Sequence, residues 1–358
     1  MRTEGPKRVQ RCLKIRLLGF NLLTAIAIAA CQGNVNPATP EASTPSAASG
    51  DCRTIQHKLG ETEICGQPQN VVVLGPNMLE LLLALDVQPV GFADRFAFHS
   101  GNFDNPAQQI PYLGKQVTGQ PANVGLAFSP SLEAIAKTNP DLILGSTTNE
   151  AQYETLSQIA PALLLEWFDT ETNLQAIATA LDHPERAEPL LVAMTQQVAS
   201  AEAELAPVVA EQPRVLMLLS NPQLAQLAVF TGRFSLCDTL VADLGFQLVL
   251  PPSAAESALN QPVPISLETL PQLNEADSII LLGYNDQANQ LTDMDEFEQH
   301  QLDGLPQQWE ENEIAQSLDA SKAGRVYFMP VYLCAGLPGP IGTELYLEEL
   351  QEQLLPPE

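Results

Sequence analysis

The chain has 358 residues, of which 16 are lysine or arginine and 43 are aspartate or glutamate, giving a formal charge of −27. A chain with so many carboxylates cannot hold nucleic acid through its phosphates, so this class of partner is excluded. The length is sufficient for two lobes, each with a core of its own.

The first 30 residues have the composition of a secretory signal. Six basic residues precede an apolar stretch from Leu17 to Ala30, and Ala29 and Ala30 stand directly before Cys31. This order is typical of an export signal, and the apolar stretch is shorter than the roughly 20 residues that span a membrane. Cys31 stands where the lipobox of bacterial lipoproteins has its acylated cysteine. We therefore expect residues 1–30 to be removed and Cys31 to carry lipid; an ordinary signal peptide is the alternative.

Residues 31–50 are predicted to be a flexible tether. They are mainly Pro, Ala, Ser, Thr and Asn, and cannot bury enough apolar surface to offset the entropy cost of ordering. The signal carries six basic residues and one acidic residue, so the mature chain keeps 10 basic and 42 acidic residues, a formal charge of −32. An anionic membrane surface repels such a chain, and the lipid would therefore supply the membrane contact.

Four cysteines follow Cys31, and an even number in an exported protein suggests two disulfide bonds. Cys52 and Cys65 stand at the two ends of a hairpin pattern that turns at Leu59-Gly60, so they would face each other. Cys237 and Cys334 would then pair by elimination. Free buried thiols are the alternative for this second pair.

Residues 51–168 alternate between strand and helix patterns, as expected of an N-terminal α/β lobe. Short apolar runs predict strands over 70–75, 88–93, 141–145 and 162–166. Helices are predicted over 78–85, 129–137 and 150–159, and a loop rich in Gly and Pro over 114–121. Alternation of this kind predicts a mostly parallel sheet with helices on both faces.

Residues 169–211 contain no strand pattern and are predicted to connect two lobes. Apolar residues recur at helical spacing, and Pro184 suits the first turn of a helix. We predict a short helix followed by a long one from about Pro184 to Val209. Because a helix is stiff, we expect it to limit the movement of one lobe against the other.

The alternation resumes in residues 212–358, which predict a C-terminal α/β lobe. Strands are predicted over 214–219, 224–230, 247–250, 277–282 and 325–328, and helices over 234–244, from Ser266 onward, and over 342–354. The acidic segment 293–313 is predicted to be solvated loop and helix. The predicted fold class is therefore α/β, with two lobes of mostly parallel sheet joined by a single long helix.

One pattern occurs in both predicted lobes, about 135 residues apart. Ser131-Leu132-Glu133 precedes the strand that begins at Asp141, and Ser266-Leu267-Glu268 precedes the strand that begins at Asp277. Each copy is typical of a capped helix that leads into a buried strand. A repeat this far apart favours two similar lobes over a solenoid, and it places one glutamate at the same point of each lobe.

The predicted ligand site lies beyond the carboxyl ends of the strands, where ligands of parallel sheets gather. Arg95 and Arg233 follow strands of the two lobes, and arginine is suited to carboxylate or catecholate oxygens. Neighbouring aromatic rings would supply apolar walls. The other candidate ligand-binding residues at these strand ends are Asn77, Trp167, Tyr284 and Tyr332.

Several of these segments together resemble one protein family. The lipobox, the Cys52-to-Cys65 hairpin, the strand at Val71, the Glu80-Leu81-Leu82-Leu83 helix and Asn139-Pro140-Asp141 are similar to the iron-siderophore branch of periplasmic substrate-binding proteins. That branch also includes the cobalamin and haem binders that serve ABC importers. The resemblance extends from Cys52 to about Leu354 and depends on the ordered set of segments rather than on one motif.

The resemblance implies a helical-backbone binding fold, with ligand in the cleft between the lobes. By motif position, Glu133 and Glu268 would dock onto arginines of a permease dimer in the inner membrane; solvated acids favoured by the helix dipole are the alternative. The implied protein is a monomer that delivers a ferric siderophore, periplasmic or at the cell surface. Haem or cobalamin is the alternative cargo, although cobalamin lacks the strong negative charge that would engage two arginines.

The sequence contains no signature of catalysis. It has no glycine-rich phosphate loop, no Gly-x-Ser-x-Gly elbow and no metal-hydrolase helix, and its four histidines show no ligand spacing. We therefore expect no catalytic residue, no metal held by the protein and no covalent cofactor, because ferric iron would arrive wrapped in its chelator. An exported hydrolase is the alternative.

Overall fold

The computed structural model describes residues 51–356 apart from 233, 253, 255–260 and 288–292. The predicted signal, Cys31 with its predicted lipid, the predicted tether and Arg233 lie outside the described residues. Within the described ranges, no helix combines the length and the apolar character that a membrane crossing needs.

The first lobe is a six-stranded sheet preceded by a two-stranded hairpin. The hairpin is β1 (Cys52–His57) and β2 (Gly60–Cys65). The sheet consists of β3 (Val71–Leu74), β4 (Pro89–Asp94), β5 (Ala122–Leu126), β6 (Ser129–Pro130), β7 (Leu142–Ser146) and β8 (Ala162–Leu165), in the order β6-β5-β4-β3-β7-β8. Only β6 runs against its neighbour.

Helices cover both faces of this sheet. They are α1 (Pro76–Ala84), α2 (Pro106–Gln109), α3 (Leu132–Lys137) and α4 (Tyr153–Ser157), with 3-10 turns at Gly114–Gln116 and Thr147–Gln152. All four residues of β3 are fully buried, as expected of a parallel strand that is covered on both sides.

The connector consists of α5 (Thr170–Ala180), a 3-10 turn at Pro184–Arg186 and α6 (Ala187–Glu211). The long helix was predicted, and it begins three residues later and ends two residues later than the sequence pattern indicated. Asp169 caps α5 by accepting the backbone N–H of Thr172 at 3.2 Å.

The second lobe is built around another six-stranded sheet. Its strands are β9 (Arg214–Ser220), β10 (Leu227–Val229), β11 (Gln247–Leu248), β12 (Val263–Ile265), β13 (Ser278–Gly283) and β14 (Val326–Pro330). The order is β12-β10-β9-β13-β14, with β11 also beside β9, and β10 runs opposite to the other five strands. The predicted α/β fold with two mostly parallel sheets is confirmed.

The helical elements of the second lobe are short until the C-terminus. They are α7 (Leu236–Asp243), a 3-10 helix at Leu267–Leu273, α8 (Met294–Leu302), α9 (Leu305–Glu311), α10 (Glu313–Ser317), α11 (Asp319–Lys322), a π-helix at Tyr332–Gly336 and α12 (Pro340–Leu354). The acidic segment 293–313 therefore folds mainly as helix, and it covers the sheet through Leu305 and Trp309.

The repeated sequence pattern occupies equivalent places in the two sheets. β7 lies beside β3 and β13 lies beside β9, so each repeat supplies the neighbour of its lobe's first strand. Asp141 accepts the backbone N–H of Asn70 at 2.8 Å, and Asp277 accepts that of Arg214 at 3.0 Å. Each aspartate thus fixes its strand against the start of the adjacent one.

The capping predictions differ between the two copies. Ser131 caps α3 by accepting the backbone N–H of Ala134 at 3.2 Å. Ser266 makes no such bond, and its helix is of the 3-10 type with Pro271 inside it. Proline cannot donate an α-helical hydrogen bond, which explains why the second helix differs.

Both predicted cysteine pairs are disulfide-bonded in the structure. Cys52–Cys65 joins the two ends of the hairpin, and Cys237–Cys334 joins α7 to the π-helix. The second bond closes a sequence separation of 97 residues within the second lobe.

The C-terminal segment joins the two lobes a second time. Trp167 donates its indole N–H to the carbonyl of Ala335 at 2.8 Å, and Thr170 donates its hydroxyl to the carbonyl of Pro338 at 2.7 Å. Glu80 of α1 accepts the backbone N–H groups of Gly339 at 2.8 Å and Gly342 at 2.5 Å, at the start of α12. α12 also packs against α6.

The lobes therefore share more than the predicted connector. Phe297 of α8 and Tyr332 of the π-helix fall within predicted lobe 212–358, yet both belong to the apolar core beneath the first sheet. Residues from both sides of position 212 therefore contribute to the core of the first lobe.

Candidate functional site

A cavity of about 270 Å³ lies between the two sheets at the carboxyl ends of their parallel strands. β4 and β8 of the first lobe and β13 and β14 of the second end at this position. Arg95, Phe96 and Phe168 line it from the first lobe; Phe230, Phe234, Tyr284, Gln301 and Tyr332 are among its walls from the second. Such strand ends are the usual place of ligand sites in α/β sheets.

Arg95 provides the charge of this cavity. Its guanidinium carbon lies 5.3 Å from the ring centre of Phe96, 5.7 Å from that of Phe128 and 5.5 Å from that of Trp167. We call these three rings the aromatic cage. Distances below about 6 Å allow the guanidinium to be held by cation–π attraction.

Among the described residues, no carboxylate oxygen lies within salt-bridge distance of this guanidinium, although the Asp94 carboxyl group acts on its charge. The buried Nε of Arg95 has no hydrogen-bond partner among these residues. Burial lowers the pKa of Arg95, but arginine keeps its charge at any physiological pH. A buried, charged donor facing a cavity is suited to a ligand that brings oxygen acceptors.

Asp94 and Tyr332 join the two walls of the cavity. The tyrosine hydroxyl donates to Oδ1 of Asp94 at 3.3 Å, and both side chains are buried. Burial raises the pKa of Asp94 to about 7, although the backbone N–H of Arg95, the Tyr332 hydroxyl and the Arg95 charge all favour its ionised form. Burial also raises the pKa of Tyr332 well above its ordinary value.

Tyr284 lies at the border between the cavity and a polar recess. It follows β13 directly and donates its hydroxyl to Oε1 of Gln226 at 2.7 Å. The recess has a volume of about 140 Å³ and is lined by amide and carboxylate side chains; they include Asn221, Gln223, Gln226, Asn285 and Asp286. A ligand in the apolar cavity would therefore meet hydrogen-bonding groups on this side.

The structure brings together four of the six predicted ligand-binding residues. Arg95, Tyr284 and Tyr332 line the cavity, and Trp167 supports Arg95 from the aromatic cage. Asn77 is fully buried in the first turn of α1 and does not line the cavity, so its placement does not support a direct ligand contact. Arg233 lies outside the described residues, between Gly232 and Phe234.

Sequence reasoning missed the cavity residues that come from outside the parallel strand ends. Phe230 and Phe234 follow the reversed strand β10. Phe128, which supports Arg95 from the aromatic cage, follows β5, a strand that was not predicted from the sequence. Gln301 lies in α8, within the acidic segment. The nearest sequence signal was the density of phenylalanines around the two arginines.

Glu133 and Glu268 are both exposed at the second position of their helices. Glu133 forms a salt bridge with Lys137 at 2.7 Å, which lowers its carboxyl pKa. The Ser266 side chain lowers the pKa of Glu268 in the same direction. Both carboxylates are therefore ionised and accessible at neutral pH.

Among the described residues, one group of three side chains of the kinds that bind metal ions has its ligand atoms close together. The cluster is Cys52, Glu63 and Cys65, but its two sulfur atoms are joined in a disulfide. A disulfide sulfur is not a thiolate and cannot serve as a metal ligand of that kind.

Known proteins share this architecture. The structure of Staphylococcus aureus SirA complexed with staphyloferrin B superimposes with a TM-score of 0.67 at 24% identity, covering 84% of this chain and 98% of that one. Bacillus subtilis FeuA complexed with ferri-bacillibactin gives a TM-score of 0.64 at 19% identity, with coverage of 84% and 98%. These likenesses confirm the two-lobed fold.

Relatives at the sequence level point the same way. A putative ABC transporter substrate-binding lipoprotein of Bacillus subtilis, YhfQ, is 26% identical over 316 residues, which cover 84% of this chain and 88% of that protein. The probable siderophore-binding lipoprotein YfiY of the same organism is 30% identical over 198 residues, which cover 53% of this chain and 56% of that protein. The model of the periplasmic binding protein family matches residues 71–333, from the first buried strand to the π-helix. The resemblance drawn from the sequence is confirmed, and the chain belongs to the periplasmic binding protein family.

Proposed function

We propose that this protein is the solute-binding subunit of an ABC importer and that its cargo is an anionic ferric siderophore. The observation that carries the proposal is the caged, unpaired guanidinium of Arg95 at a cavity between two lobes. The names of several relatives, including a siderophore-binding lipoprotein and an iron(3+)-citrate-binding protein, support the same cargo class.

The shape and chemistry of the cavity fit a ligand with a charged, oxygen-rich face and apolar edges. Arg95 would meet carboxylate or catecholate oxygens, and the phenylalanine walls would contact the rest of the chelate. A volume of about 270 Å³ is at the lower end for a ligand pocket, so a bulky chelate would remain partly exposed in the cleft. In this function the protein binds and releases its cargo without changing it chemically.

A binding panel tests the cargo. The purified protein is titrated with ferri-bacillibactin, ferric citrate, neutral ferrichrome, haem and cobalamin, while the tryptophan fluorescence is followed in a Trp309→Phe background, which leaves Trp167 as the reporter. We expect the anionic ferric chelates to bind and Arg95→Ala to weaken them by about 1–3 kcal/mol, the scale for leaving a charged group unmatched. Lys322→Ala removes an exposed charge paired with Asp319 and should leave affinity unchanged.

Preference for haem or cobalamin over every ferric chelate would refute the cargo assignment. Equal binding by wild type and Arg95→Ala would remove Arg95 from the site.

We also propose that Glu133 and Glu268 dock the loaded protein onto its permease. The two carboxylates are exposed, ionised and placed at matching points of the two lobes. Reversing both to arginine should abolish uptake in cells while the isolated protein keeps its ligand affinity. Glu188→Arg, at an exposed position of α6, is the control and should leave uptake intact. Weakened binding in the isolated double variant would contradict a docking role.

Anchoring through lipid on Cys31 completes the proposal. Cys31→Ala should release the protein from membranes into the soluble fraction, and mass spectrometry of the mature wild type should find acyl groups on its first residue.

A further inference from the structure

Asp94 places a carboxylate directly beside the cavity that is proposed to receive an anion, because it lines an adjoining side cavity and bonds to Tyr332, which lines the ligand cavity. Its side chain is 5% exposed, and it ends β4 directly before Arg95. A carboxylate repels a ligand of the same charge, and more strongly in a poorly solvated place than in water. Asp94 therefore opposes the binding of the proposed cargo whenever it is ionised.

The surroundings of Asp94 hold its carboxyl group in a fixed place. Oδ1 accepts the backbone N–H of Arg95 at 2.6 Å and the hydroxyl of Tyr332 at 3.3 Å. Because Tyr332 belongs to the π-helix of the second lobe, this carboxyl group contacts both walls of the cleft. A proton on the other oxygen would leave both hydrogen bonds in place.

The titratable groups around Asp94 are few. Arg95 follows it in the chain, Tyr332 faces it from the π-helix, and His99 shares with it a side cavity of about 170 Å³. β5 supplies Asn123, Gly125 and Leu126 to that cavity, none of which carries a charge. Arg95 stays charged, so Asp94 rather than Arg95 changes the charge beside the cavity, and His99 serves as the control position.

Resting on the proposed function, we propose that Asp94 couples the binding of an anionic chelate to the uptake of one proton. With Asp94 ionised, its charge offsets that of Arg95 and the site is nearly neutral. With Asp94 protonated, the guanidinium charge is fully available to the ligand. An incoming anion therefore favours the protonated carboxyl group, and binding draws a proton from solvent.

The direction of the pH effect follows from linkage. Burial raises the pKa of free Asp94 to about 7, and an anion beside it raises that pKa further. Affinity is then highest below pH 7 and falls as pH rises, by at most tenfold per pH unit. We expect the dissociation constant of an anionic chelate to rise about tenfold between pH 6.5 and pH 8.

The test compares wild type with Asp94→Asn, using ferri-bacillibactin as the anionic probe and ferrichrome as the neutral one. Asparagine keeps the size of the side chain and an oxygen that accepts from Arg95 and Tyr332, but it cannot titrate. The variant should bind ferri-bacillibactin equally well at both pH values, as tightly as wild type does at pH 6.5. Titration of the chelate itself affects both proteins alike and cancels in the comparison.

Calorimetry in two buffers of different ionisation enthalpy counts the proton directly. Wild type should take up close to one proton per ferri-bacillibactin at pH 8 and none with ferrichrome, a result that does not require the variant to fold. His99→Gln should keep the pH dependence of wild type.

The outcomes separate the two proposals. An unchanged slope in Asp94→Asn, a flat profile in His99→Gln, or no proton uptake by wild type would overturn the proton coupling and leave siderophore binding intact. Failure of wild type to bind any anionic ferric chelate between pH 6 and pH 8.5 would refute the proposed function, and the coupling with it.

Discussion

Glu80 is a buried acid whose charge state should control the stability of the joint between the lobes. Its side chain is fully buried in α1, and it accepts two backbone N–H groups at the start of α12. Burial raises the pKa of Glu80 to about 8 from an ordinary value of 4.5, even though both N–H groups favour the carboxylate.

The pH dependence follows from these two values. In the unfolded chain Glu80 ionises near pH 4.5, while in the folded protein it keeps its proton until about pH 8. The stabilisation is therefore complete below pH 4.5 and is lost as the pH rises through 8. Between pH 5 and pH 8 this group should cost about 4 kcal/mol of unfolding free energy, at 1.36 kcal/mol per pKa unit.

Replacing Glu80 by glutamine removes this titration. At pH 5 the variant should be less stable than wild type by about 1–3 kcal/mol, because its amide turns a donor towards one of the two N–H groups. At pH 9 the difference should reverse, and the variant should be the more stable protein by about 1–3 kcal/mol, because wild type has lost about 4 kcal/mol. The measurement is urea unfolding followed by circular dichroism from pH 5 to pH 9.

Glu188→Gln is the control for the same substitution at an exposed position, because Glu188 lies exposed in the first turn of α6. Its stability should follow the wild-type curve across the whole pH range. A constant difference between wild type and Glu80→Gln from pH 5 to pH 9 would refute the account of Glu80.

Three further predictions concern cross-links and rings near the cleft. Replacing Cys237 and Cys334 together by serine should lower the unfolding free energy by about 2–5 kcal/mol, measured by urea denaturation; a loss below 1 kcal/mol would contradict it. Phe128→Ala should weaken an aromatic chelate by about 0.5–1.5 kcal/mol in the fluorescence titration, since the ring lies against Arg95. Trp167→Phe removes the bond to the Ala335 carbonyl and should cost about 1 kcal/mol of stability, and unchanged unfolding would rule that bond out as a contributor.

The sequence predicted those strands whose burial is complete. β3, β7 and β13 appear as continuous apolar runs because both faces of each strand are covered. β5 was missed because Asn123 and Gly125 interrupt a strand that is only half-buried. The hydrophobic pattern of a short segment says little about such a strand, because the strand forms by pairing with its neighbour β4.

The sequence predicted those cavity residues that stand just after a predicted strand. Arg95, Tyr284 and Tyr332 come immediately after or shortly beyond predicted strands, and the structure places all three at the cavity. The hydrogen bond between Tyr332 and Asp94 links residues 238 positions apart, and no local pattern encodes a contact of that range. The sequence also did not predict the π-helix that positions Tyr332. A disulfide bond holds this helix against α7, so its position depends on a contact between distant parts of the chain.

Two of the links between the lobes, α6 and the buried Glu80 joint at the start of α12, should hold when the contacts of Phe297 and Tyr332 part, and they restrict how the protein can open. A body fastened to another at two separated points can turn only about the line that passes through both. Ligand exchange should therefore proceed by rotation about a single axis, with the far rim of the cleft travelling most and the Glu80 joint hardly at all. Spin labels placed on opposite rims would report one correlated distance change, and labels beside the joint would stay still.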